Sequence, residues 1–516
     1  MPHATIERVD LIVGLEVHVE LATRTKMFTR APSPACAEFE DAPPNTLIDP
    51  VVLGLPGALP VMNHDAVEMA MLVGLALNCS IAQFTKWDRK SYYYPDLPKA
   101  YQISQYDLPL CFDGEVEVPV GHLPGAADAR AVKRVGIIRA HLEEDAGKLL
   151  HEAPGGLAID HSIVDFNRAG APLLEIVTQP DFTSSDDTVA FARFLRNICR
   201  FLGVSEGVMQ KGHMRFEPNI NTILTLRDGR TVKTPIVEIK NLNSFRALKG
   251  AIDFEAQDQP GRYVENGLEM APGAKTTRGW DDAKSATYVQ REKEEAADYR
   301  YFPDPDLIPV VVDDAWRERV RSRLPELPHE RAHRYEINYT LSHKEAMALT
   351  DERDVCLFYE DCVAAAVAIG VEEAIAGKQC ANALLQVGQR LANEKSILVS
   401  DLGATAAQVA GLVKLRLDDA IGSTAADELF ALLLEEDASP ETLAEKHNLL
   451  QVRDDAALDS WCEEAIADPA NAKVVEDIKG GKHAGIGRLM GAVMKRSGGA
   501  ADAKAVQKKL REKLGL

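Results

Sequence analysis

Glu16 and His18 stand two residues apart in Ile12 to Leu21, a segment in which Val13, Leu15, Val17 and Val19 alternate with polar side chains. Residues i and i+2 of a strand share a face, so a carboxylate and an imidazole project together. Such a pair suits Mg2+ or Mn2+, and it equally suits a plain polar outer face. A denser group follows in His141-Leu142-Glu143-Glu144-Asp145-Ala146-Gly147-Lys148. Its three consecutive carboxylates repel one another and need either a cation or the solvent of an acidic turn. In Asp165 to Glu175, Asn167 and Arg168 precede a Gly-containing bend. An arginine there can hold a phosphate, and Glu175 follows two apolar residues as though projecting from a buried strand; a structural ion pair is the alternative. Trp87 to Asp96 mixes Arg89 and Lys90 with Tyr92, Tyr93 and Tyr94. That interleaving fits a nucleotide ring with phosphates nearby, or a packed Tyr-rich strand. Asp298 to Asp306 reads as a Pro-stiffened linker.

What is missing narrows the chemistry. Neither a Gly-x-x-x-x-Gly-Lys-Ser/Thr loop nor a Gly-x-Gly-x-x-Gly turn after a strand occurs. A nucleoside triphosphate would therefore sit on a sheet, with metal and side-chain ligands. No Gly-x-Ser-x-Gly elbow or Cys-His signature for splitting an amide is present either, so any ammonia the chemistry used would have to come from a partner. The eight cysteines form no Cys-x-x-Cys pair, which offers neither a zinc ribbon nor a dithiol.

The elements that must carry these residues change character along the chain. Up to about Pro309, short alternating segments are punctuated by Gly, Pro and Asn, an antiparallel-sheet composition with two inserted helices, Asp65 to Leu77 and Asp186 to Phe201. Ser184 or Ser185 caps the second helix and Gly203 stops it. Beyond Pro309 the period becomes helical almost throughout. The fold class is α+β: an antiparallel β-rich cradle domain over 1–300, an all-α helical domain over 301–400 and a small helical tail over 401–516. No apolar run reaches the roughly 20 residues of a membrane span, and no signal peptide is read, so a cytoplasmic protein is expected. Net charge is −21, which argues against broad nucleic-acid binding. Residues 473–516 nevertheless carry eleven Lys and Arg against four Asp and Glu, the stretch best suited to RNA phosphates.

Read in order, several runs resemble one family, the B subunit of aspartyl/glutamyl-tRNA amidotransferase. They are Gly14 to Leu21, Leu53 to Val61, Asp88 to Gln105, His141 to Lys148, Asn167 to Glu175, Glu238 to Phe245 and Asp298 to Asp306, with a looser match from Gly480-Gly481-Lys482 to the final basic helix. The resemblance implies a kinase-like site on the cradle and a tail like YqeY-type proteins. It implies that ATP phosphorylates the side-chain carboxylate of Glu-tRNA-Gln or Asp-tRNA-Asn, and that ammonia then displaces phosphate. The implied partners are an amidase (the A subunit of such a complex), a small C subunit and the misacylated tRNA. Residue by residue, it assigns Mg2+ to His18, Glu144 and Glu175, with Glu16 and Glu143 beside them and Lys90 near the arriving ammonia. Arg89, Tyr92, Asn167, Arg168 and Lys240 would bind the nucleotide. Two departures stand out. Thr29, Arg30, Ala31, Asp49 and Val52 occupy a region where many members have paired cysteines for zinc, so no zinc is expected. Glu217-Pro218 replaces the usual Asp-Ala.

Overall fold

The alternation around Glu16 belongs to a longer strand, β1 (Ile6–Glu20), in which Val13, Leu15, Val17 and Val19 are buried. The computed structural model describes residues 6–122, 130–153, 157–240, 242–291, 299–451, 455–480, 485–497 and 501–515. Asn241, Asp298, Gly481-Lys482 and Gly498-Gly499, all within segments singled out above, lie outside them. The chain divides into two compact units, Met1–Leu327 and Pro328–Leu516.

The first unit is built on a ten-stranded sheet. Its main strands, beyond β1, are β2 (Cys111–His122), β3 (Arg130–Glu144), β4 (Pro172–Thr178), β5 (Met214–Leu226), β6 (Val237–Lys240), β7 (Thr276–Asp281) and β8 (Ala286–Arg291). They run across the sheet in the order β8-β7-β6-β5-β1-β4-β3-β2, with short Ser80–Ile81 beyond β2 and Thr231–Lys233 paired on β5. Neighbours are antiparallel except β6 and β7, which are joined by the crossover helix that a parallel pair requires. That helix, α3 (Phe245–Asn266), packs with α1 (His64–Ala76) and α2 (Ser185–Phe201) in one core over the apolar face of the sheet. Asn63, Ser184 and Ser244 cap the three helices by accepting backbone N–H bonds, satisfying donors that a first turn leaves open. The other face is left to polar side chains, since the period of a strand is two.

The segment expected to be a linker is part of this unit. Phe302–Pro303 pairs with Asp88–Ser91, which in turn pairs with Tyr101–Ser104. Val310–Val311 pairs with Phe84–Thr85. Val310, Val312, Val320 and Leu327 join the sheet's core. The first unit thus runs past the expected boundary at 300, because Val310, Val312, Val320 and Leu327 are buried in its core.

The second unit is helical throughout its described residues, apart from an isolated bridge between Ile421 and Leu450. Its last four longer helices, Asp455–Ala467, Ala472–Lys479, Ile486–Arg496 and Ala503–Leu514, share a core of their own around Leu458, Cys462, Leu489, Val493, Val506 and Leu510. The chain is α+β, as its composition suggested. No helix among the described residues is long and apolar enough to cross a membrane.

Candidate active site

Strand register assembles the site. His18 stands opposite Glu175 on β4 and opposite Arg215 on β5, while Glu175 stands opposite His141 on β3. Glu16 faces Glu217, and Asn219 faces Glu238 on β6. Directly paired residues share a face, so five adjacent strands contribute to one polar surface, far apart in sequence and contiguous in space.

Two groups of ligand side chains lie on that surface. In the first, His18 Nε2 is 3.5 Å from Glu175 Oε2 and 3.9 Å from Glu143 Oε1, and His141 Nε2 is 3.8 Å from Glu175 Oε2. In the second, Glu16, Glu217 and Glu238 converge within 4.8 Å. His18 joins the two, its Nδ1 lying 3.8 Å from Glu217 Oε1. Lys240 Nζ bridges Glu217 at 2.7 Å and Glu238 at 2.9 Å, and Lys275 Nζ meets Glu238 at 2.8 Å.

Burial and neighbours set the charges. Burial opposes the imidazolium of His18, but Glu175 and Glu217 raise it to about 9. Burial drives His141 down to about 4, leaving it neutral. Burial raises Glu16 and Glu143, each with a neighbouring Glu175 adding to the effect. Glu175 is held below the ordinary carboxylate range against burial by the His18 imidazolium and Lys90, the neutral His141 adding no charge. Lys90 and Lys240 stay charged despite burial because carboxylates face them, Glu143 for Lys90 and Glu217 with Glu238 for Lys240. The Nδ1 atoms of His18 and His141 are buried without a hydrogen-bond partner. Orphaned imidazole nitrogens among converging carboxylates form a donor set for a hard or borderline divalent cation.

A family described as the GatB/GatE catalytic domain matches residues 11–318, and a second, the GatB domain, matches 367–514. The chain is 42% identical over 494 residues to a protein of Rhodopirellula baltica, covering 96% of this chain and 94% of that one. It is 43% identical over 507 residues to one of Synechococcus elongatus, covering 98% and 97%. It is 40% identical over 505 residues to one of Thermoanaerobacter pseudethanolicus, covering 98% and 99%. All three are named as the B subunit of aspartyl/glutamyl-tRNA(Asn/Gln) amidotransferase. The chain belongs to the GatB/GatE family.

Within this GatB/GatE domain the structure redistributes the residues picked out from sequence. Glu16, His18, Glu143 and Glu175 come together. Glu144 does not. Being the next residue on β3, it points to the other face, where Lys99 Nζ and the backbone N–H of Ile103 donate to its carboxylate. Glu143 stands in its place beside His18. Lys90 lies near the first group, its Nζ 5.1 Å from the centre of the Tyr299 ring and 5.9 Å from that of Tyr92. Lys240 sits in the second group.

Three expected nucleotide ligands make contacts within the protein. Arg89 pairs with Asp304 at 2.7 Å and Asp306 at 3.1 Å, tying Phe302–Pro303 to its partner strand. Arg168 donates to the carbonyls of Ala146 and Gly147 at 2.9 and 2.7 Å. Asn167 accepts from Leu47 N at 2.9 Å and donates to Pro43 O at 2.8 Å. Sequence reading missed Glu238 and Lys275 as members of the site, and it left Glu217 open. Glu217 reaches the site, and Pro218 beside it shapes it: a proline has no N–H for a ladder, and the registered β5–β6 pairing consists of Ile220↔Val237 and Asn219↔Glu238. In the region where many GatB-type chains have zinc-binding cysteines, Thr29 Oγ1 donates to Asp49, and Val52 packs with Ala31 and Ala169.

Proposed function

We propose that this chain is the carboxylate-activating component of a tRNA-dependent amidotransferase, acting on glutamyl-tRNA-Gln, aspartyl-tRNA-Asn or both. ATP would phosphorylate the side-chain carboxylate, and ammonia from an amidase partner would displace the phosphate, with a small third protein bracing the pair. The reading is carried by the polar face on which His18, Glu143 and Glu175 adjoin Glu16, Glu217 and Glu238. These side chains would hold magnesium ions, which neutralise the charge of the polyphosphate. Positioning by the chain's own groups supplies the rest. Lys240 orients Glu217 and Glu238, and together with Lys275 it holds the Glu238 carboxyl below its usual range against burial. Lys90, backed by the Tyr92 and Tyr299 rings, offers a fixed cation to the anionic carboxylate. Zinc is not expected, since Thr29, Arg30, Ala31, Asp49 and Val52 occupy the region where many members carry paired cysteines.

The deciding assay supplies ammonium chloride directly to the purified complex with misacylated tRNA, ATP and magnesium. Amidated aminoacyl-tRNA and one ADP per turnover are expected. Amidation that proceeds equally well without ATP would refute the activation step.

The tail should serve tRNA affinity. Lys473, Lys479, Arg488, Lys495 and Arg511 carry no ion pair among the described residues, whereas Arg496, Lys509 and Lys513 are paired with Asp or Glu. Because Leu458 and Cys462 share the tail's core, the clean truncation ends the chain before Asp455. It is expected to raise KM for tRNA about tenfold and to flatten the salt dependence of binding, with kcat changed less. An unchanged KM and salt slope would remove the tail from tRNA recognition.

A further inference from the structure

We infer that Glu20 receives the α-ammonium group of the aminoacyl end, so that the protein recognises a free amine as well as the side-chain carboxylate it activates. The inference rests on the function proposed above. Glu20 is the next residue after His18 on the same face of β1, and it lines a cavity of about 410 Å³ together with Lys148, Arg168, Lys211, His213 and Glu40. Its residue is only 5% exposed, yet its carboxylate takes no hydrogen bond or ion pair from the described residues. His213, 8% exposed, carries the other unanswered polar atom in the lining, a buried Nδ1 without a partner. The two are neighbours through the backbone, Glu20 N donating to His213 O at 2.9 Å. The Glu20 carboxylate opens onto the cavity and is answered there by no group among the described residues, so a ligand in the cavity can complete it.

The lining tells which charge is missing. Lys211 is held by Glu40 at 2.5 Å, and Arg168 lies 3.5 Å from Asp145 while donating to two carbonyls. That leaves Glu20, Asp41 and Asp165 facing Lys148, so the cavity has room for a cation. Glu20 belongs to no group of three converging ligand side chains among the described residues, unlike Glu16 and Glu175. A single buried carboxylate with polar neighbours suits a primary ammonium, which brings three donors, better than a metal ion that wants several oxygens. Side chains i and i+2 of a strand are about 7 Å apart; an aspartyl or glutamyl residue spans roughly 4 to 6 Å from ammonium nitrogen to side-chain carboxylate, and hydrogen bonds of about 3 Å at its ends make up the rest. A substrate whose carboxylate lies over His18 and Glu175 therefore brings its amine to Glu20.

The test compares two substrates in the complete complex: glutamyl-tRNA, and glutaryl-tRNA acylated with the amine-free diacid, which removes the charge without adding bulk. The wild-type complex is expected to show a KM for the glutaryl substrate raised roughly tenfold or more. Glu20→Gln should raise KM for glutamyl-tRNA by a similar factor and bring the two substrates within about twofold, with kcat changed less. Equal KM values in the wild type overturn the inference, and so does a folded Glu20→Gln variant that keeps the discrimination. Should that variant fail to fold, the wild-type comparison decides alone. A wild-type complex that amidates neither substrate refutes the underlying function instead, a failure visible before the two substrates are compared.

Discussion

Glu143→Gln and Glu175→Gln each reduce amidation by at least about a hundredfold while glutamine hydrolysis by the amidase partner continues. Both carboxylates lie within 4 Å of His18 Nε2, and both face Lys90 electrostatically. Replacing either by an amide removes a negative charge from the group that would hold the cation, with almost no change of volume. Losses of about 10² to 10³ are typical when one preorganised charge-stabilising group is taken from an active site. Because Glu175 sits between the two imidazoles, its substitution should also bring down the raised pKa of His18, which is observable by NMR titration. Amidation within about twofold of wild type at saturating magnesium, in either variant, would exclude that side chain from the chemistry.

Glu144→Gln behaves differently. Here the expected damage is to the fold. Lys99 and Glu144 form a buried pair, their side chains 8% and 4% exposed. Removing one partner leaves the other's charge without compensation, at a cost of about 3 kcal/mol. The amide oxygen can still accept from Ile103 N, so the strand contact survives in part. The melting temperature falls measurably, and the double substitution Glu144→Gln with Lys99→Met recovers most of the loss, since it removes both charges together. Amidation per folded molecule stays within about tenfold of wild type, far above that of Glu143→Gln. Equal losses in the two glutamine variants, with unchanged melting, would return Glu144 to the reaction centre.

The contrast between Glu143 and Glu144 marks where sequence reasoning stops. The alternation through Ile12 to Leu21 is strong enough to define β1 and its polar face, and Ser184, Asp186 and Gly203 bracket α2 without reference to any partner. Three successive carboxylates after His141 carry no such internal answer. Parity with His141 selects Glu143, but only if the strand continues through all of them, and that depends on pairing with Pro172 and Leu173. Long-range pairing likewise turns the Pro-rich run after Tyr299 from an apparent linker into a strand partner of Asp88–Ser91. Glu238 was part of a recognised run, yet nothing local says that it meets Glu16. Their meeting follows from β5 lying between β1 and β6. Arg89, Asn167 and Arg168 look like ligands because of their chemistry, and only the surrounding carbonyls and carboxylates reveal that some of their donors are already engaged by the protein.

The short β5–β6 ladder beside Pro218 gives the site a seam. Glu16 and Glu217 belong to the long, continuously paired centre of the sheet, whereas Glu238, Lys240 and Lys275 ride on the outer strands, joined to that centre by two registered pairs. Anything bound to both sides acts as a cross-brace, and mass action then ties occupancy to rigidity: a ligand at a hundred times its Kd adds about 2.7 kcal/mol to the closed arrangement. With nucleotide and metal bound as proposed, the opening free energy of the outer strands would depend on their supply as well as on packing.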